Sequence, residues 1–173
     1  LSVIAMKNIK TYSIKYNLIQ DRIQLTGNAK QVDQRVDFWI TRKMASNLIA
    51  HSSKLLKDTS PLSKRVPQQS QQALHSLERD SAIKSTAFEK KSIPATPEEP
   101  TLMTKVDIKV HGKHLKLIFY NEDNVAIAIS QLNRSEMHTI ISMISDYAKK
   151  ADWGLDTAIL EWPQRDAKPE RTH

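Results

Sequence analysis

The side chains of this chain that could do chemistry are mainly its histidines. His111 and His114 flank a predicted hairpin turn, but a zinc site there would need two more ligands that the neighbouring sequence does not supply. His51 and His138 lie in predicted helices, and neither has a serine or aspartate partner at the spacing of a catalytic triad. These histidines therefore predict neither a metal site nor a catalytic centre.

Other signatures of catalysis are missing from the sequence as well. Three glycines leave no glycine-rich phosphate loop, and without cysteine there are no disulfides, thiolate zinc sites or cysteine nucleophiles. Asp21, Asp33 and Asp37 fall in predicted turns and on a strand face, where they more simply keep the surface solvated. We therefore expect no catalytic residue, no metal, no cofactor and no enzymatic activity.

The charge of the chain is more informative than its candidate catalytic groups. A formal net charge of +7 over 173 residues favours polyanionic partners such as nucleic acid. No apolar run approaches the roughly 18 residues that cross a bilayer, so we expect no membrane partner. The lack of cysteine fits an intracellular reducing compartment: the cytoplasm, or an organelle matrix if the N-terminus, which begins at Leu1, is processed.

The clearest structural pattern lies between residues 104 and 151. Apolar residues alternate with polar ones over 104–111, 113–120 and 124–131, which predicts three strands joined by turns. The apolar spacing then becomes helical over 134–151. Asn133 and Glu136 have the spacing of a capping box at the start of that helix.

The same pattern occurs 92 positions earlier. Strands are predicted at 11–19, 21–28 and 34–40, and a helix at 42–57 with Thr41 as its N-cap. In the third strand, Val36 and Phe38 match Ile127 and Ile129 better at a shift of 91, which a one-residue bulge would explain. The alternative is that two unrelated hairpin-plus-helix segments coincide.

These patterns predict an α+β fold built from tandem pseudo-symmetric βββα repeats, with antiparallel sheets and two main helices packed on one face. We assign residues 6–58 to the first repeat and 104–163, with a short strand at 157–162, to the second. Residues 59–103 form a polar, Pro- and Gln-rich linker, in which disorder is favoured over a marginal helix. Residues 164–173 form a mobile tail.

The outward faces of the predicted sheets are where a ligand could bind. Between Met6 and Asp58 there are ten basic residues against four acidic ones, and the strand period places several of them opposite the core. Lysine and arginine could neutralise phosphates while aromatic rings stack on bases. The predicted nucleic-acid-binding residues are Lys15, Arg22, Arg35, Trp39, Lys109, Lys116 and Tyr120.

The segment VAIAISQLNRSEMHTIISMISDY, residues 125–147, resembles the last strand and helix of a PUR repeat or of the transcriptional positive-cofactor coactivators. The tandem copies, over 11–57 and 104–150, resemble the Whirly proteins and the kinetoplast guide-RNA-binding proteins. The resemblance implies single-stranded DNA or RNA held on curved sheets, often by an oligomer. Those families usually have four strands per copy, whereas only three are predicted here.

The alternative function is that of a protein-interaction or assembly subunit. Such a protein would form a homo-oligomer, or dock on a larger complex, through sheet edges and helix faces. Trp39 and Ile118 at a subunit contact would favour this alternative.

Overall fold

The computed structural model describes residues 5–61, 65–85, 94–95 and 98–155. The strands in that part are β1 (Lys7–Ile9), β2 (Tyr12–Asn17), β3 (Arg22–Gly27), β4 (Val36–Ile40), β5 (Thr101–Leu102), β6 (Lys105–His111), β7 (His114–Tyr120) and β8 (Ala126–Asn133). The helices are α1 (Arg42–Asp58), α2 (Gln68–Ser85) and α3 (Arg134–Lys150). The predicted strand at 157–162 and the predicted mobile tail lie outside the described residues.

The strands form two four-stranded sheets, in the orders β2-β3-β4-β5 and β1-β8-β7-β6. We call these the first and second sheets. In each, three consecutive strands pair antiparallel and are followed directly by a helix. The α+β fold with tandem βββα units is therefore confirmed.

The fourth strand of each sheet comes from the other half of the chain. β1 pairs in parallel with β8, and β5 pairs in parallel with β4, so both sheets are mixed. Ile9 lies beside Ser130, and Thr101 lies beside Phe38. Thr101 is 92 positions after Ile9, and Ser130 is 92 positions after Phe38, so the two exchanged pairs are equivalent. This exchange was not predicted, because runs of three and two residues carry no readable period.

The predicted slip in the third strand is wrong. Leu25 lies opposite Phe38, and Leu117 lies opposite Ser130, so the shift of 92 continues through this strand. A bulge does occur, but at Ile127, before the matched part begins. The prediction matched the core positions to Ile127 and Ile129 because β8 has apolar residues on both faces. Its buried side is in fact formed by the smaller Ala128 and Ser130 together with Leu132.

The two halves share a single core. It contains the inward side chains of both sheets and one face each of α1 and α3. Phe38 of the first sheet stacks on Phe119 of the second, with ring centroids 5.6 Å apart and planes inclined by 28°. None of the helices in the described part of the chain is both long enough and apolar enough to span a bilayer.

Both predicted helix caps are confirmed. The Thr41 hydroxyl accepts a hydrogen bond from the Met44 amide at 3.2 Å. Asn133 and Glu136 form the complete capping box, with bonds of 2.8 and 2.7 Å to each other's amides. These caps fix the point at which each helix leaves its sheet.

The linker contains a full helix where disorder was favoured. α2 packs on α3, and its buried positions include the polar residues His75 and Ser76, while Leu77 is exposed. The Arg134 guanidinium donates to Glu78 of α2 at 2.6 Å and to the hydroxyl of Thr59, just after α1, at 3.0 Å. Because this contact is largely polar, α2 shows little hydrophobic period in the sequence.

The Asn28 side chain binds the backbone of the turn between β1 and β2. Its side-chain oxygen accepts from the Lys10 amide at 3.0 Å, and its nitrogen donates to the carbonyls of Asn8 and Gln34 at 2.9 and 3.0 Å. Its side chain is buried, and its φ of 52° is left-handed. One residue therefore fixes both the turn and the exchanged strand.

We expect Asn28→Ala to destabilise the protein, because it removes three hydrogen bonds made by a buried side chain. The loss should exceed that of Asn124→Ala by about 1–3 kcal/mol in urea unfolding. Asn124 is the matched control, since it is exposed and has a similar φ of 57°. Equal losses in the two variants would mean that only the backbone conformation matters.

Candidate nucleic-acid interface

The outward side of the second sheet is open and positively charged. We call it the basic face; it consists of Lys105, Asp107, Lys109, His111, His114, Lys116, Ile118, Tyr120, Ile129 and Gln131. Lys109 and Lys116 lie directly opposite each other on β6 and β7, and both are exposed. Side chains in this relation are about 5 Å apart at Cβ, where like charges destabilise a sheet. The pair therefore concentrates positive charge, and a bound anion would reduce the repulsion between the two lysines.

Tyr120 lies at one end of the basic face and is held in place by polar contacts. Its hydroxyl donates to the Asp107 carboxylate at 2.8 Å, and the Lys105 ammonium lies 4.4 Å from the centre of its ring. The hydrogen bond from Tyr120 and the nearby Lys105 hold the pKa of Asp107 below its usual value. Asp107 is therefore ionised at neutral pH, and the ring orientation is fixed.

Apolar side chains form the middle of the basic face. Ile118 and Ile129 are neighbours on β7 and β8, and both are half-buried. Beside them is a shallow hollow of about 350 Å³ whose lining includes Asn8, His111 and Lys116. The face thus combines charged, apolar and aromatic surface within three strands.

Trp39 lies on the outward side of the first sheet, as the strand period predicted, but its ring is not available to a ligand. The side chain is only 4% exposed, and its indole N–H donates to the Glu99 carboxylate at 2.8 Å. Its neighbour on β3, Gln24, is 3% exposed. The expectation of an exposed stacking ring at Trp39 is therefore corrected.

Arg35 is occupied by an internal ion pair. Its Nε lies 2.8 Å from Oδ2 of Asp37, and the arginine side chain is 11% exposed. Burial raises the pKa of Asp37, but hydrogen bonds from Arg35, Thr26 and Gln24 more than offset this and hold the pKa below its usual value. The charge of Arg35 is thus neutralised within the first sheet.

The seven predicted binding residues consequently fall into three groups. Lys109, Lys116 and Tyr120 lie together on the basic face. Lys15 and Arg22 are half-buried on the first sheet, and Arg35 and Trp39 are engaged internally.

Lys105, Asp107 and Ile129 were not among the binding residues predicted from the sequence. Lys105 and Asp107 could have been placed from the predicted hairpin, because pairing His111 with His114 also sets Lys105 opposite Tyr120.

No protein-family model, curated protein or solved structure matches the chain. The resemblance to the PUR, Whirly and positive-cofactor proteins therefore remains a prediction.

Proposed function

We propose that the basic face binds single-stranded DNA or RNA and that the protein is a binding protein without catalytic activity. The observation that carries this proposal is the exposed, directly opposed pair Lys109 and Lys116. Phosphates of a bound strand, one beside each ammonium group, would relieve the repulsion between the two lysines.

The rest of the basic face suits the other parts of a nucleotide. The fixed ring of Tyr120 offers a surface on which a base can stack in place of Lys105, and Ile118 and Ile129 offer apolar contact to its neighbour. An unpaired strand exposes its bases to such a surface, whereas a duplex presents mainly phosphates. The geometry therefore favours single-stranded over double-stranded ligands.

The first sheet has a secondary role in this proposal. Lys15 and Arg22 add positive charge outside the basic face and would extend the path of a longer strand. Because Trp39 is buried, we expect phosphate contacts but no base stacking there. The resemblance to families that bind single strands as oligomers adds the expectation of self-association.

Fluorescence anisotropy with labelled single-stranded oligonucleotides, measured over a range of salt concentrations, tests the proposal. We expect binding whose logarithmic constant falls linearly with the logarithm of the salt concentration, by about 0.7 per phosphate engaged. Absence of binding at about 50 mM salt would contradict the proposal.

A stacking role for Tyr120 predicts different effects for two substitutions. Tyr120→Leu should weaken binding by about 1–3 kcal/mol, because it removes the ring but keeps an apolar side chain. Tyr120→Phe is the matched control: it keeps the ring, loses the hydrogen bond to Asp107, and should bind nearly as well as wild type. Equal weakening in both variants would show that the hydroxyl, and not stacking, matters.

A second candidate function is docking of a partner protein. The observation that favours it is an open groove of about 510 Å³ between α1 and β6, whose lining includes Met44, Leu48, Leu55, Val106 and Ile108. Size-exclusion chromatography with light scattering, with and without oligonucleotide, separates the two. Self-association unaffected by oligonucleotide, without oligonucleotide binding, would favour this second function.

A further inference from the structure

Two buried histidines face each other where α2 packs on α3. The rings of His75 and His138 are 5.2 Å apart, and the side chains are 6% and 1% exposed. Glu78 lies one turn after His75 on the same face of α2, with Oε1 3.7 Å from Nε2 of His138. That distance is too long for a hydrogen bond.

The histidine nitrogens have an unmet bonding requirement. Both ring nitrogens of His75 and Nε2 of His138 are buried without a hydrogen-bond partner in the described part of the chain. Leaving such groups unpaired costs about 1–3 kcal/mol each, so native structures usually satisfy them. One nitrogen from each ring, together with the nearby Glu78 carboxylate, could bind a common ligand.

We propose that His75, Glu78 and His138 bind one zinc ion between α2 and α3. One donor atom from each residue lies within 4.8 Å of the others. Donors bound to tetrahedral zinc at about 2.1 Å lie roughly 3.4 Å apart, so side-chain movements of about 1 Å would complete the site. Two histidines and one glutamate form a known zinc ligand set that leaves a fourth position for water.

Arg134 orients the carboxylate of this site and also places a positive charge beside it. The Arg134 guanidinium donates to both Glu78 oxygens, at 2.6 and 3.3 Å, and so orients the carboxylate. The positive charge of Arg134 opposes a second cation, and we therefore expect weaker binding than at a closed four-ligand site.

Zinc at this place would fasten α2 to the body of the protein. The helix already contacts α3 through the ion pair of Glu78 with Arg134 and through buried residues such as Ser76. The site is separate from the basic face, so it has no part in the proposed nucleic-acid binding.

The test is zinc titration of the full chain after treatment with chelator, followed by isothermal calorimetry and by the visible spectrum of the cobalt-substituted protein. We expect one ion per chain, the absorption bands of four-coordinate cobalt, and a higher unfolding temperature with zinc. His75→Gln and Glu78→Gln should each weaken binding at least about tenfold while the far-ultraviolet circular dichroism stays native.

The matched control is the double variant His111→Gln/His114→Gln, which removes two exposed histidines from the basic face. It should bind zinc as the wild type does. Failure of the wild type to bind one ion per chain would overturn the proposal. So would unchanged affinity in either cluster variant, or loss of binding only in the control.

Discussion

The double substitution Lys109→Gln/Lys116→Gln is expected to weaken binding of a single-stranded oligonucleotide by about 60-fold at about 50 mM salt. The two lysines lie opposite each other, and each neutralises one phosphate in the proposed complex. Losing two contacts should reduce the slope of log K against log salt by about 1.4, so the variant and wild type should converge near 1 M salt. Anisotropy titrations over that range measure both quantities.

The matched control for this prediction is Lys43→Gln/Lys57→Gln. These lysines are exposed on α1, and their replacement changes the net charge by the same amount. We expect a much smaller change in affinity and slope. An equal loss in the control would show that binding follows overall charge and has no particular surface.

The second large effect is expected from Phe38→Ala, which should lower the free energy of unfolding by about 3–5 kcal/mol. Phe38 is fully buried and stacks on Phe119 of the other half, so its removal opens a cavity where the two sheets meet. Denaturant unfolding followed by circular dichroism and tryptophan fluorescence measures the loss. Leu18→Ala, at a side chain 80% exposed, should change stability by less than about 0.5 kcal/mol.

The same variant tests whether the halves are interdependent. With a shared core and exchanged strands, both probes should report one transition at a lower midpoint. A double-mutant cycle with Phe119→Ala should give a coupling of about 0.5–1.5 kcal/mol, the usual value for an aromatic pair. Two separate transitions, or no coupling, would contradict a common core.

The sequence predicted those parts of the fold whose period is regular and long enough to read. The six strands of the two antiparallel units, the helices that follow them and both caps lie within a few residues of their predicted places. The exchanged strands β1 and β5 were missed because their pairing is set by distant residues such as Ser130 and Phe38. α2 was predicted only as a marginal helix, less favoured than disorder, for a related reason: its stability comes from contacts such as Glu78 with Arg134.

The candidate site shows a similar limit. Strand period placed Lys109, Lys116, Trp39 and Arg35 on outward faces, and the structure agrees with that orientation. The strand period does not show whether an outward side chain is covered by other residues or neutralised by an ion pair. The lysine pair is exposed, whereas Trp39 is buried and Arg35 is paired with Asp37. Accessibility depends on the tertiary structure of the whole chain.

Photocrosslinking of the full chain to a single-stranded oligonucleotide containing 4-thiouridine, with peptide mapping by mass spectrometry, tests the central claim most directly. We predict crosslinks to Tyr120 and to other residues of β6, β7 and β8 on the basic face, lost in the presence of unlabelled competitor. Crosslinks confined to α1 or to the outward side of the first sheet would contradict it.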